Sequence, residues 1–224
     1  MIRAIIFDFG KVVGFFDHRL VTSRLAPHGD LPAAELHAFI FDGLLEDDYE
    51  TGRISSTEFL GQIRDKARLR CSEDVLIASY ADIFWPNPDV CNLLPHLRGK
   101  YRLLLGSNTS ELHSRHFRRQ FAEALGHFDA LVLSHEIGAR KPAAAFFERC
   151  VSLAGCAPRE CVFIDDLPAN VAGAQAYGLH GIVYTSIDDL AKRLANLHIC
   201  LPPPFVDGVA ADAHRAVTPK VSDP

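Results

Sequence analysis

Four short apolar runs, at 101–105, 130–133, 161–164 and 181–184, are each followed by a stretch of helical periodicity, and a fifth run at 3–7 opens the chain. Uninterrupted apolar strands of this length, separated by helices, belong to a parallel sheet covered on both faces. The predicted fold is therefore doubly wound α/β, with helices starting at Glu111, near Ala143, near Asn170 and at about Ile187. Between about Leu20 and Phe84 the pattern is helical with no convincing strand. Ser55-Ser56-Thr57-Glu58 before Phe59 and Leu60 is a capping-box start, and Ser72-Glu73-Asp74 opens another helix. Pro86 and Pro88 close this block. These shifts divide the chain into a core at 1–14 and 89–198, a small helical domain at 15–88, and a tail at 199–224. The tail, opened by Pro202, Pro203 and Pro204 and lacking periodicity, is predicted to be poorly ordered.

Composition removes several classes of function. With 23 Lys and Arg against 28 Asp and Glu, the net charge of -5 offers no general attraction for nucleic acid or anionic lipid. No apolar run approaches the roughly 20 residues that cross a bilayer, and Asp8 interrupts the N-terminus where a signal peptide needs its apolar stretch. A cytoplasmic location is expected. The six cysteines form no C-x-x-C pair and read as reduced, small hydrophobes. His113 and His116 stand three apart in a predicted helix, but Arg115, Arg118 and Arg119 crowd the same turns, so this reads as a solvated basic face rather than a metal site.

Ligands of doubly wound sheets bind beyond the carboxyl ends of the strands. The residues that follow the strands are Asp8, Ser107 with Asn108, Lys141 after the loop of the third, and Asp165 with Asp166. Singly, a strand-terminal Asp or Ser is most often a helix cap, and a Lys before Pro142 is most often exposed. Four polar stops on four strands are harder to explain as capping.

Together these residues resemble the motifs of the haloacid dehalogenase (HAD) superfamily, in order and over nearly the whole length to about residue 198. Phe7-Asp8-Phe9-Gly10-Lys11-Val12-Val13 looks like the first motif, Leu105-Gly106-Ser107-Asn108-Thr109 the second, Arg140-Lys141-Pro142 the third, and Phe163-Ile164-Asp165-Asp166 with Asn170 and Gly173 the fourth. The helical block is placed like the cap of subfamily I, and Gly52-Arg53-Ile54-Ser55 resembles an element of that cap. The resemblance implies a Rossmann-like core and a nucleophilic Asp8 that forms an aspartyl-phosphate, dividing one hard displacement into two easier ones. It implies Mg²⁺ held by Asp8, the Gly10 carbonyl and Asp166, with Asp165 in direct or water-mediated support. Ser107 and Lys141 would hold the phosphoryl oxygens, with Asn108 completing the cradle.

One position departs from the phosphatase pattern. Where that pattern has a second Asp, two residues after the nucleophile, this chain has Gly10. Such an acid-base group contributes roughly 10² to 10⁴-fold. Haloacid dehalogenases also lack that Asp, but they replace the acidic pair of the fourth motif with neutral residues, whereas Asp165 and Asp166 beside Asp8 call for a cation. Phosphatases with Gly at this place occur in the family, and the overall pattern resembles the bacterial α-D-glucose-1-phosphate phosphatase group. Asp17 and His18 are candidate replacement acids, with hinge packing or an N-cap before Arg19 as the favoured reading, and Arg53 is expected to be solvated. The expected function is a Mg²⁺-dependent phosphomonoester hydrolase acting on a small phosphorylated metabolite, such as a sugar phosphate, by a chain that is monomeric or homodimeric. A 2-haloacid dehalogenase-like hydrolase, or a weakly active or inactive binding protein of the same fold, are the alternatives.

Overall fold

The structure is a computed structural model that describes residues 1–203 and 205. The chain opens with β1 (Ala4–Phe7) and the short β2 (Gly14–Phe16), then runs through five helices: α1 (Arg19–Leu25), α2 (Ala33–Phe41), α3 (Leu44–Glu50), α4 (Ser56–Ala67) and α5 (Glu73–Ala81). It returns through β3 (Phe84–Pro86) and α6 (Pro88–Leu97). The alternating part follows as β4 (Arg102–Ser107), α7 (Glu111–Gln120), α8 (Ala122–Leu125), β5 (Ala130–Leu133), α9 (Ser134–Ile137), α10 (Ala144–Ala154), β6 (Cys161–Asp165), α11 (Pro168–Tyr177), β7 (His180–Val183) and α12 (Ile187–Asn196).

Five strands form one parallel sheet in the order β5-β4-β1-β6-β7, the doubly wound architecture expected from the apolar runs. Alternate side chains enter separate cores: Ile5, Phe7, Leu103, Leu105, Val162 and Ile164 on one face, and Ala4, Ile6, Leu104, Cys161 and Phe163 on the other. Burial on both faces is why these strands lack polar alternation. The chain winds outward from β1 through β4 to β5, then crosses back to β6 on the other side, so β1 lies at the point where the winding reverses. Register then places the site, because Phe7 pairs with Leu105 on one side and Ile164 on the other. The next residues along the three strands, Asp8, Gly106 and Asp165, therefore meet at one level of the sheet edge.

The helical block differs from expectation at both ends. β2 and β3 pair antiparallel, Gly14 with Pro86 and Phe16 with Phe84, and make a two-strand hinge through which the chain leaves and re-enters the core. Three residues are too few to show an alternating pattern, and Pro86 sits at the end of a strand with no further neighbour, where its missing N–H is tolerated. Pro88 occupies the first turn of α6, a position suited to its fixed φ. Within the insert, Ser55 and Glu58 form the expected capping box on α4, and Ser72 caps α5. The first residues of the 199–224 stretch pack on the core rather than trailing from it: Ile199 and Leu201 are buried, and Phe205 meets His96 edge-on. The rest of that stretch, residue 204 and residues 206–224, lies outside the described residues. No helix among the described residues is long and apolar enough to cross a membrane.

Candidate active site

Asp8 extends the central strand into a cleft of about 240 Å³ between the sheet edge and the helical insert. Its Oδ1 accepts from the Phe9 amide at 2.7 Å and from Lys141 Nζ at 2.6 Å. The Lys141 ammonium also donates to Asp165 Oδ2 at 2.8 Å and to the Gly106 carbonyl at 2.9 Å, and its side chain is 1% exposed. Its three protons are thus aimed at three adjoining strands. Asn108 fixes the lysine from behind, since its Oδ1 accepts from the Lys141 amide at 2.8 Å and its Nδ2 donates to the Lys141 carbonyl at 3.1 Å. Ser107 is buried and lines the cleft with Asn108, Gly10 and Asp166. Asp165 is held in place by the Leu167 amide at 2.9 Å and by Asn170 Nδ2 at 3.0 Å.

All the strand-end residues singled out in the sequence are therefore brought together. Asn108 has a positioning part that its residue type does not announce, because both ends of its amide are engaged by the backbone of Lys141.

Carboxylate oxygens of Asp8, Asp165 and Asp166 lie within 4.8 Å of one another. Burial, reinforced by Asp165 and Asp166 and only partly opposed by Lys141, pushes the Asp8 carboxyl up to about 7. Asp166 is raised too, by burial and then by Asp165. Burial draws the Lys141 ammonium down, but Asp8 and Asp165 more than offset it and hold its pKa above the ordinary value. Three carboxyls against one buried cation leave a charge imbalance that a divalent ion would remove. The donor set contains only oxygen, which suits a hard ion such as Mg²⁺ rather than a thiolate- or imidazole-seeking metal.

Of the opposite side of the cleft, only His18 was foreseen near the site, as a candidate acid. Phe16, His18, Glu46, Glu50, Phe84, His113 and Arg140 all line it. Arg140, next to Lys141, reaches into the insert and pairs with Asp47 and, at 2.9 Å, with Glu50. His113 corrects the expectation of a solvated basic face: it is 3% exposed, stacks on Tyr80 with centroids 4.1 Å apart, and bonds the Tyr80 carbonyl through Nε2 at 3.0 Å. A signal for this existed, because His113 stands four residues before the buried Phe117 and so shares its helix face. Asp17 is taken out of contention as an acid: its carboxylate accepts from the Arg19 amide at 2.9 Å and from the Arg19 guanidinium, while the N-cap position of α1 is His18, whose side chain makes no capping bond. Arg53 is exposed and pairs with Asp48 at 3.1 Å, as expected of a solvated side chain.

Comparison with known proteins places this arrangement. D-ribitol-5-phosphate phosphatase of Bacteroides thetaiotaomicron is 26% identical over 179 residues, 76% of this chain and 86% of that protein. Flavin mononucleotide hydrolase 1 of Arabidopsis thaliana is 40% identical over 67 residues, which is 30% of this chain and only 27% of that protein. Among solved structures, a HAD family enzyme from Bacteroides thetaiotaomicron, in complex with magnesium and inorganic phosphate, is similar with a TM-score of 0.73 at 25% identity, covering 83% of this chain and 95% of that one. A family model for haloacid dehalogenase-like hydrolases matches residues 2–178. That span takes in every strand-end residue gathered at the sheet edge, and the chain belongs to the haloacid dehalogenase-like hydrolase family.

Proposed function

We propose that this hydrolase is a Mg²⁺-dependent phosphomonoesterase acting on a small phosphorylated metabolite, with Asp8 as the nucleophile. The observation that carries the reading is the Lys141 ammonium, locked between Asp8 and Asp165 at 2.6 and 2.8 Å beside an oxygen-only carboxyl cluster. A cation fixed at the nucleophile is what a phosphate dianion needs in order to approach a carboxylate. Asp8, the Gly10 carbonyl, Asp165 and Asp166 would hold the Mg²⁺. When bound, the ion supplies charge neutralisation and a fixed orientation for the phosphoryl group.

The chain's own residues supply the rest. Asp8 attacks phosphorus through one carboxylate oxygen, the ester P–O bond breaks as the new one forms, and the alkoxide leaves with its electron pair and takes its proton from solvent water. The resulting aspartyl-phosphate is hydrolysed by water. The Lys141 ammonium and the Ser107 hydroxyl bind phosphoryl oxygens, with Asn108 setting the lysine's position. The helical insert would act as a cap, its residues forming the wall of the cleft opposite the sheet edge. A dehalogenase of the same fold has no use for Asp165 and Asp166, whose charges favour the phosphatase reading. A relative matched over 76% of this chain is a D-ribitol-5-phosphate phosphatase, and a similar structure holds magnesium and phosphate, which supports the same class.

A panel of phosphate esters and 2-haloacids, each assayed with Mg²⁺ and with EDTA, tests this. Phosphate release that requires Mg²⁺, with no halide release, is the expected result; metal-independent halide release would overturn the reading.

A further inference from the structure

Beyond the carboxyl cluster the cleft has a wall with its own chemistry. Glu46 and Glu50 stand one turn apart on α3, and both line the cleft with side chains only 13% and 10% exposed. His18 joins them, its Nε2 3.7 Å from Glu46 Oε1 and its ring stacked on Phe41 at 4.1 Å. Each cation that lines the cleft faces a carboxylate. Lys141 is held by Asp8 and Asp165, Arg140 by Asp47 and Glu50, and Lys11 stands 3.7 Å from Asp166.

On the phosphatase reading, we propose that His18, Glu46 and Glu50 are specificity residues that bind hydroxyl groups on the alcohol part of the ester and reject esters carrying a second anionic group. A hydroxyl both donates and accepts, and an imidazole beside a carboxyl offers it both partners. Burial, followed by the charge of His37, lowers the His18 pKa to about 4, so the ring is neutral and supplies no counter-charge. A second carboxylate or phosphate would lose its hydration opposite Glu46 and Glu50, carboxyls that burial already makes reluctant to ionise and that a further anion would disfavour again, a cost that a neutral hydroxyl avoids. Volume points the same way. At about 240 Å³ the cleft lies below the roughly 300–1,000 Å³ of sites that enclose drug-sized ligands, so the alcohol part is short.

Three probes of matched size separate these terms: glycerol 3-phosphate, which carries two hydroxyls; 3-phosphoglycerate, in which a carboxylate replaces the terminal hydroxymethyl group and one hydroxyl remains; and propyl phosphate, which has none. Wild-type kcat/KM is expected to be at least about tenfold higher for glycerol 3-phosphate than for either of the others. Glu46→Gln and Glu50→Gln should each shrink the preference over 3-phosphoglycerate, and His18→Phe the preference over propyl phosphate, by about threefold or more. Each readout is a ratio of two substrates on one preparation, so a partly unfolded variant leaves it unaffected. Similar wild-type rates on all three probes, or ratios unchanged in all three variants, would overturn the inference. If no ester is hydrolysed, the phosphatase reading fails separately. The wall is then tested by calorimetric Kd values for the same probes with Mg²⁺, where the same ranking supports the inference and equal affinities overturn it.

Discussion

Position 10 is a glycine because Phe16 occupies the space a side chain would need: a Cβ there would lie 2.8 Å from Phe16 Cε1. Contact, not backbone angle, excludes the carboxylate that an ordinary phosphatase of the family carries at this place. Gly10→Asp should therefore lose on the order of 1–3 kcal/mol by overpacking, and lose less in a Phe16→Leu background. Denaturant melts of the two single variants and the double variant give the coupling directly; additive losses would show that Phe16 is not the obstacle. At the nucleophile, Asp8→Asn and Asp166→Asn should each cut phosphate release by on the order of 10⁴-fold with little change in thermal stability. Asp8 already ionises reluctantly because of its burial, and in the variant the Lys141 ammonium keeps Asp165 and the Gly106 carbonyl as partners. Full activity of Asp8→Asn would end the mechanism proposed here. Asp8, Ser107, Lys141, Asp165 and Asp166 are legible in the sequence because each interrupts an apolar strand, where a polar residue has few structural reasons to be. Glu46 and Glu50 carry no such mark. Within Leu44–Glu50, a segment with four acidic residues, they read as a solvated face, and only tertiary docking turns that face toward Asp8.

Among the elements, α3 is the one whose placement shapes the cleft, and it is fastened to the core at both ends of its last turn. Tyr49 Oη accepts the Leu112 amide at 3.1 Å, satisfying one of the orphan N–H groups at the start of α7. From the loop after α9, Arg140 bridges Asp47 and Glu50. Arg140→Ala leaves two carboxylates without their partner, one of them buried, and should destabilise by on the order of 1–3 kcal/mol. Arg140→Lys should recover less than half of that loss, because a single ammonium cannot serve as a two-pronged bridge. Chemical denaturation of the three proteins decides it; a lysine variant equal to wild type would reduce the bridge to simple charge. None of this was readable from the sequence, where Arg140 is only the residue before Lys141. The parallel strands were readable because burial on both faces writes an unbroken apolar run. The β2–β3 hinge was not, since its register depends on contacts between residues seventy positions apart.

Across the whole molecule, one apolar cluster runs from a sheet face into the helical insert, so Phe7 and Leu105 of the core belong to the same packed body as Leu36, Phe59 and Tyr80. His113 is buried at that junction, stacked on Tyr80 and edge-on to Phe84. Burial, together with the nearby His18, lowers its pKa from 6.5 to about 3, so the folded protein holds it neutral while the unfolded chain protonates it near 6.5. A group depressed in this way contributes stability that is present above pH 6.5 and is lost as pH falls from there toward the folded value, at about 1.4 kcal/mol per pH unit. Glu46, raised to about 7 by burial, gives a slope of the opposite sign: its contribution is present below 4.5 and is lost as pH rises through 7. Total stability is a sum of opposed slopes, so the informative quantity is a difference between two proteins. His113→Phe keeps the stacking surface, gives up the bond to the Tyr80 carbonyl, and removes only the titration of residue 113. At pH 8 the variant should be slightly the less stable of the two, by about 1 kcal/mol for the lost hydrogen bond. Below pH 6.5 the gap should close and then reverse, leaving the variant the more stable protein by pH 5. Thermal melts of both at half-unit steps from pH 8 to pH 5 measure this, and two curves that stay parallel would mean that His113 is already charged in the folded state, or reaches solvent when it titrates.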